Sequence, residues 1–320
     1  MRVAVLSFAS ERADTYARLL HDMPDVELLI ADPDGSPDDQ ARGRGVAGEL
    51  GVSFATDWDE VLEWRPSAVV VTSEVGRRRE LVERLAEAEA FVLCEQPLAL
   101  KVPDVKAMVD TCDMGGVRLT LASPACYSEA FAAVRRGIAD GVVGTLTTIH
   151  GSYNTPPAAD VDGGALAANA PYLLDLVDMV LDGEPATQVY AQVNSVLSDR
   201  TGPESAAVLT VSYRSGVVAS FDCSWSRSPA RGPAITFIGD KASVEYDLAP
   251  RLLGGFDAAT GGERREPGGE DPYPLMLGDF LGTIETGEGI GPDGQAALRT
   301  QRIIQAAYES VHTGQPVDIG

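Results

Sequence analysis

The stretch Ala90-Phe91-Val92-Leu93-Cys94-Glu95-Gln96-Pro97-Leu98-Ala99 decides how the rest of the chain is read. Phe91 to Cys94 is a short apolar run without alternation, the pattern of a strand buried on both faces of a parallel sheet. Pro97 has no N–H to give to a ladder, so the strand has to end before it. Glu95 and Gln96 are thereby delivered at the carboxyl end of a buried strand, where open α/β sheets hold their ligands. A purely structural turn would look the same, so the neighbouring segments have to decide.

On both sides, strand-like and helix-like segments alternate. Apolar runs at residues 2–6, 26–31, 52–54, 68–72 and 117–122 flank the quoted strand. Helical spacing at 12–21, 39–50, 57–64, 77–90 and 102–112 fills the gaps. Such alternation predicts a parallel sheet with right-handed crossovers. After Ser123-Pro124 the pattern changes. A helix at 128–138 is followed by period-two segments at 144–153, 187–197, 205–213, 217–225, 234–239 and 242–248. These predict an antiparallel sheet with one wet face. A helix at 170–181 interrupts it, a helix at 294–311 closes the chain, and the Gly-rich run 254–269 reads as a mobile surface loop. The expected organisation is a Rossmann-like dinucleotide-binding domain over 1–122 and an α+β domain over 123–320, for substrate and oligomerisation, with a large open-faced antiparallel sheet.

Composition narrows the function. A chain of 320 residues is long enough for two cores. Its mean hydropathy of −0.02 is ordinary, and no apolar run approaches the ~20 residues of a membrane span. The start runs straight into a strand rather than a signal peptide, so a cytoplasmic location is expected. The net charge of −23 repels phosphate backbones and anionic membranes, which argues against both as partners. Only Lys101, Lys106 and Lys241 are lysines, and an acidic, lysine-poor surface predicts adaptation to concentrated salt. Four scattered cysteines without a C-x-x-C pair and three isolated histidines predict neither disulfides nor a metal site.

Several pieces together carry a specific resemblance. V-L-C-E-Q-P-L-A, G-G-A-L before the mid-chain helix, G-V-V-G-T-L, I-G-D-K-A-S-V-E-Y and the closing A-A-L-R-T-Q-R-I-I-Q-A-A-Y-E-S resemble the Gfo/Idh/MocA family of NAD(P)-dependent sugar and polyol oxidoreductases over essentially the whole length. The resemblance implies NAD (or NADP) in the first domain, a small-molecule substrate, and a homodimer or homotetramer formed through the second domain's sheet, whose broad apolar face would need covering.

The cofactor turn departs from the family's glycines. It reads Ser7-Phe8-Ala9-Ser10-Glu11-Arg12. Ser7, Ala9 and Ser10 are small enough to leave room for a pyrophosphate, Phe8 and Glu11 oppose it by bulk and charge, and Arg12 compensates in part. Asp32 closes the second strand, where a carboxylate accepts from an adenosine ribose and favours NAD over NADP; it reads equally as a turn aspartate before Pro33. Thr72-Ser73-Glu74 stands where the family has T-P-N, and Glu95 precedes the catalytic position.

Two catalytic positions are also altered. Gln96 replaces the family's lysine, and an amide can hydrogen-bond a carbonyl oxygen but brings no charge. Losing that charge at a developing alkoxide costs ~3 kcal/mol. Tyr172 falls on the histidine/tyrosine position and Asp175 on the following aspartate, while Ala168 replaces the preceding one. Tyr172 reads as an acid/base or as a core tyrosine. Three functions follow: an oxidoreductase with impaired or altered chemistry, a catalytically degenerate sensor or partner subunit, or a non-redox lyase or isomerase.

Overall fold

The structure is a computed structural model that describes residues 1–10, 12–33, 42–157, 163–198, 202–226, 232–248 and 271–320. The chain divides into two compact units. The first holds Met1–Ser123 together with Tyr273–Leu298, and the second holds Pro124–Ala159, Gly163–Pro272 and Arg299–Gly320.

The first unit is a parallel sheet of six strands. They are β1 (Arg2–Leu6), β2 (Glu27–Ala31), β3 (Ser53–Ala55), β4 (Ala68–Val71), β5 (Phe91–Glu95) and β6 (Leu119–Ala122), in the order 3-2-1-4-5-6. Between them run α1 (Arg12–His21), α2 (Arg44–Leu50), α3 (Trp58–Trp64), α4 (Val75–Glu87) and α5 (Val102–Gly115). Every residue of β4, and of β5 after Phe91, is buried, as a strand covered on both faces must be. Local signals fix the helix ends. The Asp57 carboxylate accepts from the Glu60 N–H at 2.9 Å to cap α3, and Gly116 ends α5 in the left-handed region at φ 65°. Helix α2 starts at Arg44, just after Gly43 takes φ 76°, and residues 39–41, also expected as helix, lie outside the described residues. Strand β5 runs one residue beyond the expected end. Glu95 still pairs with Ala122, and only the Gln96–Pro97 peptide, which is cis, leaves the ladder.

The second unit carries α6 (Glu129–Ala139), β7 (Leu146–Thr155), α7 (Ala165–Val180), β8 (Ala186–Asn194), β9 (Ala206–Tyr213), β10 (Val218–Trp225), β11 (Ala234–Gly239) and β12 (Ser243–Asp247). Of two further helices, α8 (Pro272–Thr286) and the start of α9 (Gly294–Thr313) belong to the first unit, while the rest of α9 and a short β13 (Val317–Asp318) belong to the second. The seven-stranded sheet has the order 12-11-7-10-9-8-13. The sheet is mixed rather than wholly antiparallel, because β7 and β10 pair in parallel; alternation along each strand reports which face is buried and is blind to direction.

Other expectations need correction. Helix α7 begins at Ala165, five residues before the predicted start, and runs through Pro171. Helix α8 and β13 were not foreseen. The segment 254–269, expected as a loop, lies outside the described residues. Nor is the open face of the second sheet broadly apolar. Helix α7 packs on β7, β9 and β10, burying Ile149, Leu209, Ala219 and Phe221. The outward positions include Thr210, Ser212, His150 and Ser220, with Tyr190, Val208 and Val218 as exposed apolar side chains among them. No helix among the described residues is long and apolar enough to cross a membrane.

The chain returns to the first unit late. The Leu121 N–H donates to the Pro292 carbonyl at 3.0 Å, Thr120 bridges to Asp293, and the Tyr273 ring lies 5.8 Å from that of Tyr16. This return closes the open edge at β6.

Candidate active site

The carboxyl ends of β1, β2, β4 and β5 lie along one edge of the parallel sheet and bring together most of the residues singled out in the sequence. At the end of β1, Ser7 takes φ 65°, the left-handed conformation in which a dinucleotide turn normally uses glycine. For a residue with a Cβ this costs ~1–2 kcal/mol, and local bonds hold it in place. The Ser7 N–H donates to Ala31 at 2.8 Å, and its hydroxyl to the Asp32 carboxylate at 3.2 Å. From β4, the Thr72 hydroxyl lies 2.7 Å from the Ser7 carbonyl, and the Thr72 carbonyl accepts from the Ser10 N–H at 3.2 Å.

Phe8 does not block this turn. Its ring packs on Gly43, where an added Cβ would come within 2.6 Å of it. At the start of α1, the Arg12 N–H donates to the rotatable Ser10 hydroxyl at 3.3 Å. That N–H and the helix N-terminus suit an anion, and Asp32 places acceptors at the end of β2. The residues present therefore fit a dinucleotide, with serine and alanine in the places of glycines.

Charge along this edge is closely paired. Asp32 is fully buried and accepts from Arg42 at 2.8 Å and Arg77 at 3.1 Å. Glu74 binds the same two guanidiniums at 2.7 and 3.4 Å. Partial burial pushes the Glu74 carboxyl up, but the Arg42 hydrogen bond, a backbone hydrogen bond and the charges of Arg42 and Arg77 together outweigh it, and the net direction is down. Glu95 is also committed, taking the Tyr16 hydroxyl at 2.6 Å and Arg12 at 2.9 Å. Burial, then the Glu95 charge, raises the Tyr16 hydroxyl well above its ordinary range. Arg12 and Glu95 thus serve as a tie between α1 and β5.

Behind the Glu95-Gln96-Pro97 turn lies Arg78, a fully buried guanidinium. It donates to the Ser73 carbonyl at 2.9 and 3.0 Å and to the Glu95 carbonyl at 3.0 Å, and it also bonds the Pro97 carbonyl. Gln96 itself is 5% exposed. Lys101 stands beyond the turn as the residue that precedes α5.

In the second unit, α7 carries Tyr172 and Asp175, both buried. The Tyr172 ring meets Tyr153 edge-on at 5.5 Å. The helix is anchored at its start. The Glu204 carboxylate accepts from the Leu166 N–H at 3.2 Å and from the Tyr308 hydroxyl at 2.7 Å. An added Cβ at Gly164 would overlap that carboxylate, which is the physical reason for glycine there. Asn169 fastens the next turn: its amide donates to the Tyr153 and Ser224 carbonyls and accepts from Thr155 at 2.8 Å. These anchors explain why α7 continues through a proline.

Sequence reasoning did not single out Arg42, Arg77, Arg78, Asn169 or Glu204. One signal was readable: Val75, Arg78, Leu81, Val82 and Leu85 share a helical face, so Arg78 is a charge at a core position. Arg42 and Arg77, 35 residues apart in number, carried no comparable mark.

Comparison with known proteins agrees with this architecture. Residues 14–123 match a family model described as an oxidoreductase family, NAD-binding Rossmann fold, and the match begins downstream of the Ser7 turn. Residues 131–245 match the GFO/IDH/MocA C-terminal domain. D-apiose dehydrogenase of Paraburkholderia graminis is 27% identical, covering 78% of this chain and 72% of its own length. D-xylose 1-dehydrogenase (NADP(+)) 2 of Haloferax volcanii is 26% identical, covering 88% and 90%. Among solved structures, GenD2 from gentamicin A biosynthesis, in complex with NAD, shares the fold with a TM-score of 0.87 at 21% identity, covering 100% of this chain and 96% of its own. The myo-inositol 2-dehydrogenase of Lactobacillus plantarum does so with a TM-score of 0.82 at 17% identity, covering 100% and 99%. With both of its domains matched to the same group of proteins, the chain belongs to the Gfo/Idh/MocA oxidoreductase family.

Proposed function

We propose that this chain is a NAD(P)-dependent oxidoreductase acting on a sugar, polyol or similar hydroxy or keto compound, with chemistry altered by the amide at position 96. The observation that carries the reading is the convergence of left-handed Ser7, buried Asp32, Thr72 and the Glu95-Gln96 turn at one edge of a 3-2-1-4-5-6 sheet. The names of the sequence relatives, D-apiose and D-xylose dehydrogenases, support the substrate class.

A bound nicotinamide would supply the hydride donor or acceptor. The chain's part is to hold and polarise. The Ser7–Arg12 turn and the start of α1 receive the diphosphate, with Ser73 and Glu74 beside them at the end of β4. In the first unit, Gln96 stands where the family resemblance places the group that polarises a reacting oxygen; in the second, Tyr172 stands where it places the proton carrier, with Asp175 one helical turn on. An amide stabilises a developing alkoxide less than an ammonium does, so turnover is expected to be slow.

A second reading is favoured by the neutral Gln96 and by the prior pairing of Asp32 and Glu95. On it, the chain binds a dinucleotide or sugar-like ligand without turnover, as a sensor or partner subunit. Titration with NADH and NADPH tests the first requirement, since saturating ligand stabilises a fold by a few kcal/mol. A rise in melting temperature with turnover on a sugar or polyol panel supports the oxidoreductase. A rise without turnover supports the second reading, and no rise with either dinucleotide overturns the first.

A further inference from the structure

Asp32 ends β2, where a lone carboxylate accepts from ribose hydroxyls and repels a 2′-phosphate. Here it is not alone. Arg42 turns Nε and Nη2 inward to the carboxylate, at 3.2 and 2.8 Å, and Arg77 turns Nη2 inward at 3.1 Å. Each guanidinium keeps Nη1 for the outer side, and both converge on Glu74. The two arginines are about one quarter exposed, so the pair is reachable from solvent.

We infer that the end of β2 is built for an adenosine ribose carrying a 2′-phosphomonoester, with Arg42 and Arg77 setting a preference for NADP(H) over NAD(H) and Glu74 as the carboxylate that the phosphate displaces. The inference rests on the dinucleotide reading above.

Three observations carry it. An unphosphorylated ribose would have to break charge-assisted bonds to Asp32 and replace them with neutral hydroxyl bonds, an unfavourable exchange. A phosphomonoester leaves Asp32 in place and uses the outward Nη1 donors, one from each guanidinium. Glu74 can also yield. Its side chain is 37% exposed against 0% for Asp32, and its second bond, to Arg77, is long at 3.4 Å. A phosphate of charge about −1.5 to −2 outcompetes the Glu74 carboxylate for the two guanidiniums.

Calorimetric titration of the full chain with NADPH, NADH, 2′,5′-ADP and 5′-ADP tests this. The 2′-phosphorylated member of each pair should bind about tenfold or more tightly. Arg42→Gln and Arg77→Gln should each reduce that ratio to about threefold or less, and Glu74→Gln should raise it. Glu74→Gln keeps the shape of the side chain, so it reads the same site should either arginine variant fold poorly. NADH binding as tightly as NADPH, or a ratio that survives both arginine substitutions, overturns the inference while the dinucleotide reading stands. Failure of all four compounds to bind overturns both.

Discussion

Arg78 and Glu95 are joined across the first unit: the buried guanidinium donates to the Glu95 carbonyl oxygen at 3.0 Å, one residue before Gln96. The same group holds Ser73 at the end of β4 and Pro97 beyond the turn. A side chain of α4 therefore pins the backbone on both sides of the residue assigned to the reacting oxygen. Arg78→Met removes those donors and leaves buried carbonyls unpaired, so a loss of ~3–5 kcal/mol is expected in urea unfolding. Arg78→Lys, with one cationic point instead of a fork, should recover only part of it.

Restoring the charge at position 96 isolates its role. Gln96→Lys should raise hydride transfer by about two orders of magnitude on whichever sugar or polyol is turned over. Steady-state rates on a substrate panel, with either dinucleotide at saturation, provide the check. A variant that binds dinucleotide and shows no gain would mean that more than the charge is missing.

The start of α7 depends on a glycine and a glutamate fitting together. Gly164→Ala drives a methyl into the Glu204 carboxylate, and Glu204→Ala deletes the acceptor for the Leu166 N–H and for Tyr308. Each should cost ~1–2 kcal/mol, the scale of a lost cap. The double variant should cost clearly less than the two losses added, because both remove the same contact. Strict additivity in thermal or denaturant unfolding would show that the two act separately.

Alkaline pH should destabilise the fold. Burial pushes the Cys94 and Cys112 thiols up to about 12, against 9.0 for a free thiol. Burial raises Tyr16 as well. Above pH ~9 the unfolded chain releases protons that the folded chain retains, so stability is full below that point and falls toward pH ~12, by at most ~1.4 kcal/mol per unit for each thiol. Denaturant midpoints across this range measure the slope. At pH 8 a disulfide reagent should leave the four buried thiols of the native chain unmodified and react with all of them in denaturant.

The charge of −23 makes salt a stabiliser. Raising sodium chloride from low to molar concentration shortens the Debye length from about 30 Å to about 3 Å and screens the self-repulsion, so the melting temperature should climb steadily. A flat profile would remove the argument for adaptation to concentrated salt.

The first unit was legible in order because each of its signals is local. The apolar run at Phe91–Cys94 and the stop at Pro97 lie within a few residues of what they decide. The direction of β10 against β7 was not legible, since side-chain alternation is the same for either sense. Nor was the return of Tyr273–Leu298 to the first unit, which depends on bonds such as Leu121 to Pro292 across more than 150 residues.

The same division runs through the site. Sequence alone determined that Gln96 stands where a lysine was expected, that Ala168 has replaced a carboxylate, and that the turn after β1 has no glycine, because these are facts of composition at recognisable positions. Only the tertiary structure decided that Ser7 adopts the left-handed bend regardless, that Phe8 turns aside onto Gly43, and that Asp32 is held between Arg42 and Arg77. The field at a carboxylate is the sum of charges brought to it by folding, and the distance between Asp32 and Arg77 along the chain says nothing about the 3.1 Å that separates them in space.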